Sequence, residues 1–302
     1  MKPQAILRRP NSGAPRLLAV VCAGVFFLGV LGLARPGLWA QPAVLDLEAL
    51  LAAGESAEQA GDFLAAEAAY RKAVEHYSGH ARAWLHLGEA LRFYAHDQEA
   101  AERAFRAALD APEQDDLAAA FAWRGLGEIA GHHGDTAAAL HCFQRSLARC
   151  PLADTHRSLA HLLGMNGQLT QAAEHAQAAV ELQPDDPIAL LLCAAHLERA
   201  GRREEGRRSF ERALELAGCD ELGRHAQPVH CCVLYNAAGY QAVCGERKST
   251  LAFLQAFFET PNHRHLKREH VLADPDFAAW VKDEGFLTLV NRFLPEAAVP
   301  KP

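Results

Sequence analysis

The 302-residue sequence lacks the short motifs that mark the common classes of enzyme. It contains no G-x-S-x-G, H-E-x-x-H, P-loop or Rossmann fingerprint, so hydrolase, metalloprotease and nucleotide-binding chemistry have no local signature. No C-x-x-C occurs either, so the sequence has no signature of a zinc ribbon, a thioredoxin-like site or a c-type haem site. We therefore predict a protein that is not an enzyme and that uses no cofactor or metal.

Acidic residues are absent from the first forty positions, which carry Lys2, Arg8, Arg9, Arg16 and Arg35. The rest of the chain has 25 basic and 37 acidic residues. An acidic body argues against a general nucleic-acid binder, because affinity for nucleic acid comes largely from basic groups that neutralise phosphates. We expect no nucleic-acid partner.

Charged residues are also missing from residues 17–34, LLAVVCAGVFFLGVLGLA. As a helix this segment would span about 27 Å, close to the ~30 Å hydrocarbon core of a bilayer. The basic head, residues 1–16, predicts a cytoplasmic N-terminus with the bulk of the chain on the periplasmic or extracytoplasmic side, after a linker over 35–46. The alternative is a signal sequence cleaved after GLWA, near Ala40, which would give a secreted or periplasmic protein.

Tyrosine is scarce, whereas alanine, leucine, glutamate and arginine are abundant, which favours helices over strands. Seven cysteines follow the apolar segment, and most are expected to be small buried side chains, although some could pair as disulfides outside the cytosol.

A period of about 34 residues runs through the middle of the chain. Its two clearest copies are WLHLGEAL, with Trp84 and Gly88, and WRGLGEIA, with Trp123 and Gly127. Weaker copies flank them, so that units begin near residues 47, 81, 120, 153, 187 and 231. A repeat changes the meaning of every residue in it, because equivalent positions share one structural role.

This pattern resembles the tetratricopeptide repeat, W-x2-L-G-x2-Y followed by A-x3-F and then P. The resemblance implies an all-α, right-handed superhelical solenoid of five to six helical hairpins over residues 47–260. Residues 261–302, with the segment ADPDFAAW, would form a C-terminal helical cap. Trp84, Trp123, Phe105 and Phe143 are expected to fill the spaces between helices, where truncation typically costs about 3 to 5 kcal/mol.

The resemblance also implies a concave groove lined by the first helix of each hairpin, near positions 2, 5, 6, 9, 12 and 13 of each unit. We expect a peptide or helix of a protein partner to bind there, in a non-enzymatic scaffold on the extracytoplasmic side of a membrane. The candidate residues are His86, Glu89, Arg92, Arg124, Glu128, Arg157, His161, Arg199, Tyr235 and Asn236.

These candidates make the groove locally basic, and Arg124 and Arg157 occupy equivalent positions in consecutive units. Two guanidinium groups could hold a carboxylate of an acidic partner. Alternatively, the arginines are paired with acidic residues of the chain itself, such as Glu89 and Glu128. The sequence leaves both interpretations open.

A second candidate function is a metal- or redox-responsive module in the C-terminal region. A metal site needs three or four ligands that converge at about 2 Å from the ion. The residues that could supply them are His230, Cys231, Cys232, His263, His265 and His270.

Overall fold

The computed structural model describes residues 46–113, 115–220, 223, 231–260 and 266–295. The expected membrane segment over 17–34 and the cleavage site near Ala40 lie outside these residues. Within the described ranges, no helix combines the length and the apolar character that crossing a bilayer requires.

The described residues form fourteen α-helices and one 3₁₀-helix, with no β-strand beyond an isolated bridge between His80 and Glu113. The all-α prediction is confirmed. The helices are α1 (Leu47–Ala60), α2 (Phe63–His76), α3 (Ala81–Phe93), α4 (Gln98–Asp110), α5 (Asp116–His132), α6 (Thr136–Arg149), α7 (Ala153–Met165), α8 (Leu169–Leu182), α9 (Pro187–Arg199), α10 (Arg203–Ala217), α11 (Cys231–Cys244), α12 (Arg247–Glu259), α13 (Arg268–Ala273), the 3₁₀-helix (Pro275–Phe277) and α14 (Glu284–Phe293).

Helices α1 to α12 form six consecutive hairpins, and each hairpin packs against the next. In five of them the turn contains a glycine with positive φ, such as Gly134 at +77°, a conformation that costs glycine little. The longer turn of the second hairpin uses His96 instead, at +53°. The second helix of the first three hairpins begins after an aspartate that caps it; Asp97, for example, accepts a hydrogen bond from the Ala100 amide at 2.9 Å.

The third hairpin begins at Asp116, about one turn before the start expected near residue 120. The Asp115 side chain accepts a hydrogen bond from the Leu117 amide at 2.9 Å and so caps the helix at this earlier point. The additional turn belongs to the residues that break the strict repeat period.

Large aromatic side chains of the second helices pack directly on glycines of the first helices. Phe105 is fully buried between Gly88 of its own hairpin and Gly125 of the next. A Cβ atom at Gly88 or Gly125 would lie 2.7 or 2.5 Å from the ring, so neither position admits a side chain without movement. Tyr70 and Phe143 pack in the same way on Gly54 and Gly127. These close contacts hold the paired helices together.

The expectation for Trp84 and Trp123 needs correction, because both are only partly buried. The Trp84 indole lies at the edge of the core and donates from Nε1 to the carbonyl of Ser78 at 2.8 Å. Trp123 faces a cavity on the other side of the hairpin and stacks beneath the Arg145 guanidinium at 5.4 Å. Phe105 and Phe143, rather than the tryptophans, fill the interior.

The last described segment, residues 266–295, covers the sixth hairpin. Asp274 caps the 3₁₀-helix by accepting a hydrogen bond from the Asp276 amide at 2.9 Å, with Pro275 in the first helical position. Phe277 and Phe286 are fully buried, and Trp280 donates from Nε1 to the carbonyl of Ala242 at 3.0 Å. This segment, which we call the cap, extends the core of the last hairpin.

Candidate functional site

The first helices α1, α3, α5, α7, α9 and α11 contact one another in chain order and form one surface, the first-helix face. Nine of the ten candidate residues lie on this face or at its end. The exception is His86, whose ring is partly buried and stacks on Tyr70 of α2 at 5.2 Å; the loss of solvation lowers its pKa.

Four candidates form a closed cycle of ion pairs, the arginine–glutamate ring. Arg92 contacts Glu89 at 2.9 Å and Glu128 at 2.5 Å, and Arg124 contacts the same two carboxylates at 3.0 and 3.2 Å. Each carboxylate therefore bridges two guanidinium groups. Ser158 of α7 adds a hydrogen bond from its hydroxyl to Glu128 at 2.7 Å, so the ring ties together α3, α5 and α7.

The ring overturns the prediction of a locally basic groove. The guanidinium of Arg124 already has two carboxylate partners from this chain, which is the second of the two interpretations that the sequence left open. Arg157 is similarly engaged by Asp154 and by Asp186, the latter at 3.1 Å. The first helices α1, α3, α5, α7 and α9 together carry eight acidic residues and five arginines. The arginines of the face are therefore neutralised by carboxylates of the same chain, and the five first helices together carry a net negative charge.

Residues of the cap form polar contacts with two of the candidate residues at the end of the face. Arg199 pairs with Asp276, and the Tyr235 hydroxyl donates to the carboxylate of Asp274 at 2.8 Å. Burial raises the pKa of both Tyr235 and Asp274. Asn236 donates from its side-chain amide to the Cys232 carbonyl of its own helix at 2.7 Å. The part of the face left open to a partner therefore runs from α1 to α9.

A cavity of 790 Å³, which we call the glycine cavity, opens on this part of the face between α5, α7 and α9. Its lining includes Gly131, at position 12 of the repeat; the glycine at the same position of the next first helix, Gly164, is covered by the ring of His196. The equivalent positions in the neighbouring repeats are Arg92 and Glu198. Four of the candidates line the cavity: Arg92, Glu128, Arg157 and His161.

The polar residues at groove positions do not indicate this cavity. The signal that could have revealed it is the pair of glycines at equivalent positions in consecutive units. A glycine inside a helix is unfavourable by roughly 0.5 to 1 kcal/mol relative to alanine, so two at equivalent positions call for a packing or binding explanation.

A family model described as tetratricopeptide repeat matches residues 51–92 and 157–220. The chain carries tetratricopeptide repeats. No curated protein sequence matches it significantly. The matched ranges cover parts of the first and second hairpins and the fourth and fifth hairpins, so the arginine–glutamate ring lies partly within the recognised tetratricopeptide repeats and partly between them.

Solved tetratricopeptide repeat structures share the fold at low sequence identity. PilW, described as a type IV pilus biogenesis factor, is 16% identical, with a TM-score of 0.54 over 81% of this chain and 98% of PilW. PilF of Pseudomonas aeruginosa is 16% identical, with a TM-score of 0.51 over 69% of this chain and 88% of PilF. A chain of the Cut9–Hcn1 structure is 13% identical, with a TM-score of 0.56 over 84% of this chain and 44% of that chain. At these identities the similarity shows the fold alone.

His196 of the fifth tetratricopeptide repeat borders the glycine cavity and was also missed from the sequence. Its ring packs against Gly164, and its Nδ1 atom has no hydrogen-bond partner among the residues that the structure describes. Burial, together with the nearby charge of Arg199, lowers the pKa of His196 to about 4. The imidazole is therefore neutral at pH 7.

We expect acid to destabilise the tetratricopeptide repeat array through its buried histidines. A histidine with a lowered pKa contributes its full stability above the unfolded-state value of 6.5, and this contribution is lost as the pH falls towards 4. For His196 the loss is about 3 kcal/mol. Burial also lowers the pKa of His156 and His175, whose Nδ1 atoms are 3.0 Å apart, so they act in the same direction.

Denaturant unfolding at pH 7 and pH 4.5 measures this effect. The variant His196→Gln should show a smaller difference between the two pH values than the parent chain. His76→Gln, at an exposed position at the end of α2, is the matched control and should retain the parental difference. An equal pH dependence in the parent and in His196→Gln would contradict the assignment.

The alternative metal- or redox-responsive site finds no support in the described part of the chain, where no cluster of three or more potential metal ligands occurs. His230, His263 and His265 lie outside the described residues. Burial raises the pKa of the Cys193 thiol to about 12 and that of Cys244 to about 11, which disfavours the reactive thiolate. The cysteines that the structure shows outside any disulfide include Cys142, Cys150, Cys193, Cys219, Cys231 and Cys244.

Only Cys193 among these cysteines is buried, so the expectation that most would be buried is wrong. The others lie at the margins of helix contacts, where they are partly exposed.

Proposed function

We propose that this chain is a non-enzymatic scaffold that binds a segment of a protein partner on the first-helix face between α1 and α9. The observation that carries the proposal is the glycine cavity together with two large apolar side chains beside it or along the same face. Met165 is 63% exposed and Phe93 is 52% exposed, and both end a first helix at position 13 of the repeat. Exposed apolar side chains at equivalent positions of a rigid frame suit a partner that crosses several repeats.

The charges of the face favour a partner segment that is not acidic. The arginines that suggested an acidic partner are neutralised within the chain, and acidic residues outnumber them. An acidic segment would have to compete with the carboxylates that already hold these arginines, whereas an uncharged or basic segment would not. Both an extended peptide and a helix remain compatible with this proposal.

We further propose that the array is tethered to a membrane and acts on its extracytoplasmic side. Support comes from the sequence, in which the basic residues 1–16 precede the charge-free residues 17–34. Protease treatment tests the orientation when the outer face of the membrane is accessible to the protease, before and after the cells are permeabilised. An array that is protected until the cells are permeabilised would lie in the cytoplasm and contradict the proposal. Cleavage near Ala40 would appear as a mature chain that begins at Gln41 by mass spectrometry.

The binding face can be tested by photo-crosslinking from single positions in the intact chain. A photoreactive residue at Met165 should form a crosslink to a partner in the native cell. One at Leu182, at the end of α8 and 43% exposed, serves as the control because this residue belongs to a second helix. Equal crosslinking from both positions would show that the partner does not use the first-helix face.

We also expect Phe93→Glu with Met165→Glu to reduce partner binding at least about tenfold, because two apolar contacts are each replaced by a charge. The melting temperature should stay within the range of surface substitutions, since both side chains are exposed. Leu64→Glu with Leu182→Glu makes the same chemical change on second helices and should leave binding unchanged. Co-purification with quantitative mass spectrometry measures both pairs of variants. Loss of the partner in the control pair alone would overturn the proposed binding face.

A further inference from the structure

Elsewhere in this chain, a glycine of a first helix contacts an aromatic ring of a second helix. At the glycine cavity the glycine of the first helix, Gly131, is present, but no such ring among the described residues packs on it. Gly54, Gly88, Gly125 and Gly127 each lie on a first helix and each face an aromatic ring of a second helix. A Cβ atom at any of these four positions would come within 2.7 Å of that ring. Glycine in a first helix is thus the feature that makes room for an aromatic side chain.

Gly131 lies one helical turn after Gly127 on α5 but faces no aromatic ring among the residues that the structure describes. The nearest atoms to a Cβ at this position would be Leu162 Cδ1 at 3.8 Å and Ala139 Cβ at 3.9 Å, which are ordinary van der Waals distances. Close packing of the helices therefore does not require glycine here. The space that glycine leaves at Gly131 belongs to the 790 Å³ cavity.

The lining of the glycine cavity determines which group suits it. Phe143, Leu162 and Met165 supply apolar surface, and the polarizable thioether of Met165 is favourable beside an aromatic ring. The charged groups in the lining, Glu128 and the arginines, are already ion-paired within the chain. A charged group entering the cavity would lose water without gaining a free counter-charge, which is costly.

We propose that the glycine cavity is a subsite for one uncharged aromatic side chain of the partner segment, seated over Gly131 as Phe105 is seated over Gly125. This inference rests on the proposed function and specifies the partner chemistry at one point of the face. The ion pair between Arg199 and the cap residue Asp276 lies next to His196, which lines the cavity.

The test uses the intact chain and two small probes, one aromatic and uncharged and the other charged. N-acetyl-tryptophanamide should bind saturably in ligand-detected NMR, and N-acetyl-lysinamide should bind at least about tenfold more weakly, as expected for a charge without a counter-charge. Gly131→Leu places an apolar side chain in the cavity and should weaken binding of the tryptophan amide by about tenfold or more. Gly131→Ala should also weaken binding, but by less than Gly131→Leu, because its methyl group would lie where the ring is seated; in the free chain this methyl group displaces no neighbour, so the fold should be unchanged.

Two results would overturn the subsite. One is an affinity for N-acetyl-tryptophanamide that Gly131→Leu leaves unchanged while circular dichroism shows a native helix content; the other is equal affinity for the lysine amide. Photo-crosslinking from Met165 separates this failure from that of the proposed function. A crosslinked partner that Gly131→Leu still binds removes the aromatic subsite but retains the scaffold, whereas the absence of any Met165-dependent partner removes both.

Discussion

Phe105→Ala is expected to lower the free energy of unfolding by about 4 kcal/mol, because it empties a fully buried site between two hairpins. The ring contacts Gly88 within its own hairpin and Gly125 in the next, so its loss removes packing both within and between repeats. Equilibrium unfolding in guanidinium chloride, followed by circular dichroism, measures the change.

Trp84→Ala provides the comparison, since this tryptophan is only partly buried and should cost roughly 1 kcal/mol, the usual size for a substitution outside the core. Gly125→Ala should also destabilise the chain by roughly 1 to 3 kcal/mol, because the added Cβ would press against the Phe105 ring. If Trp84→Ala proved as costly as Phe105→Ala, the aromatic–glycine contacts would not be the main source of cohesion between hairpins.

Glu128→Ala is expected to lower the free energy of unfolding by about 3 kcal/mol. It removes a carboxylate that neutralises both Arg92 and Arg124 and that accepts the Ser158 hydroxyl. Side chains in the arginine–glutamate ring are at most 22% exposed, so the two arginines would be left poorly solvated and without one of their counter-charges. Glu99→Ala breaks an exposed pair with Arg103 and should cost less than about 1 kcal/mol.

The effects of substitutions in the arginine–glutamate ring on the free energy of unfolding should also be strongly non-additive. Replacing all four members with apolar side chains of similar volume should cost less than Glu128→Ala alone, because no buried charge is left without a partner. The quadruple variant Glu89→Leu, Arg92→Met, Arg124→Met and Glu128→Leu tests this in the same unfolding assay. Costs that simply add up would mean that the four side chains act as independent surface pairs.

The helical fold was predictable because its determinants are local and recur. Glycine in five of the six turns, aspartate before the second helices of the first three hairpins and the spacing of alanine and phenylalanine all repeat at about the same interval. Helix α5 begins about one turn before the unit start expected near residue 120, because Asp115 caps the helix within an insertion that has no counterpart in the other units. The burial of Trp84 and Trp123 was overestimated, because a motif shows which residue type recurs at a position and not how far its side chain is buried.

The charges of the face could not be predicted in the same way. Arg124 and Glu89 are 35 residues apart and meet only when two first helices stack, so their sequence positions fit an open binding site and an internal ion pair equally well. Arg199 and Asp276 are 77 residues apart, and their contact depends on the path of the cap. The glycine cavity was overlooked for a different reason: at Gly131 the space results from a side chain that is absent.

The contacts of the cap restrict where this array could gain or lose a repeat. Asp276 holds Arg199 of α9, Asp274 holds Tyr235 of α11, and Trp280 holds the end of α11. A duplication of the fourth hairpin, inserted before α9, would leave all three contacts intact and would lengthen the array by one unit. A hairpin added after α12 would have to displace the cap from the surface that it covers. Natural or engineered growth of the array is therefore directed to the hairpins that precede α9.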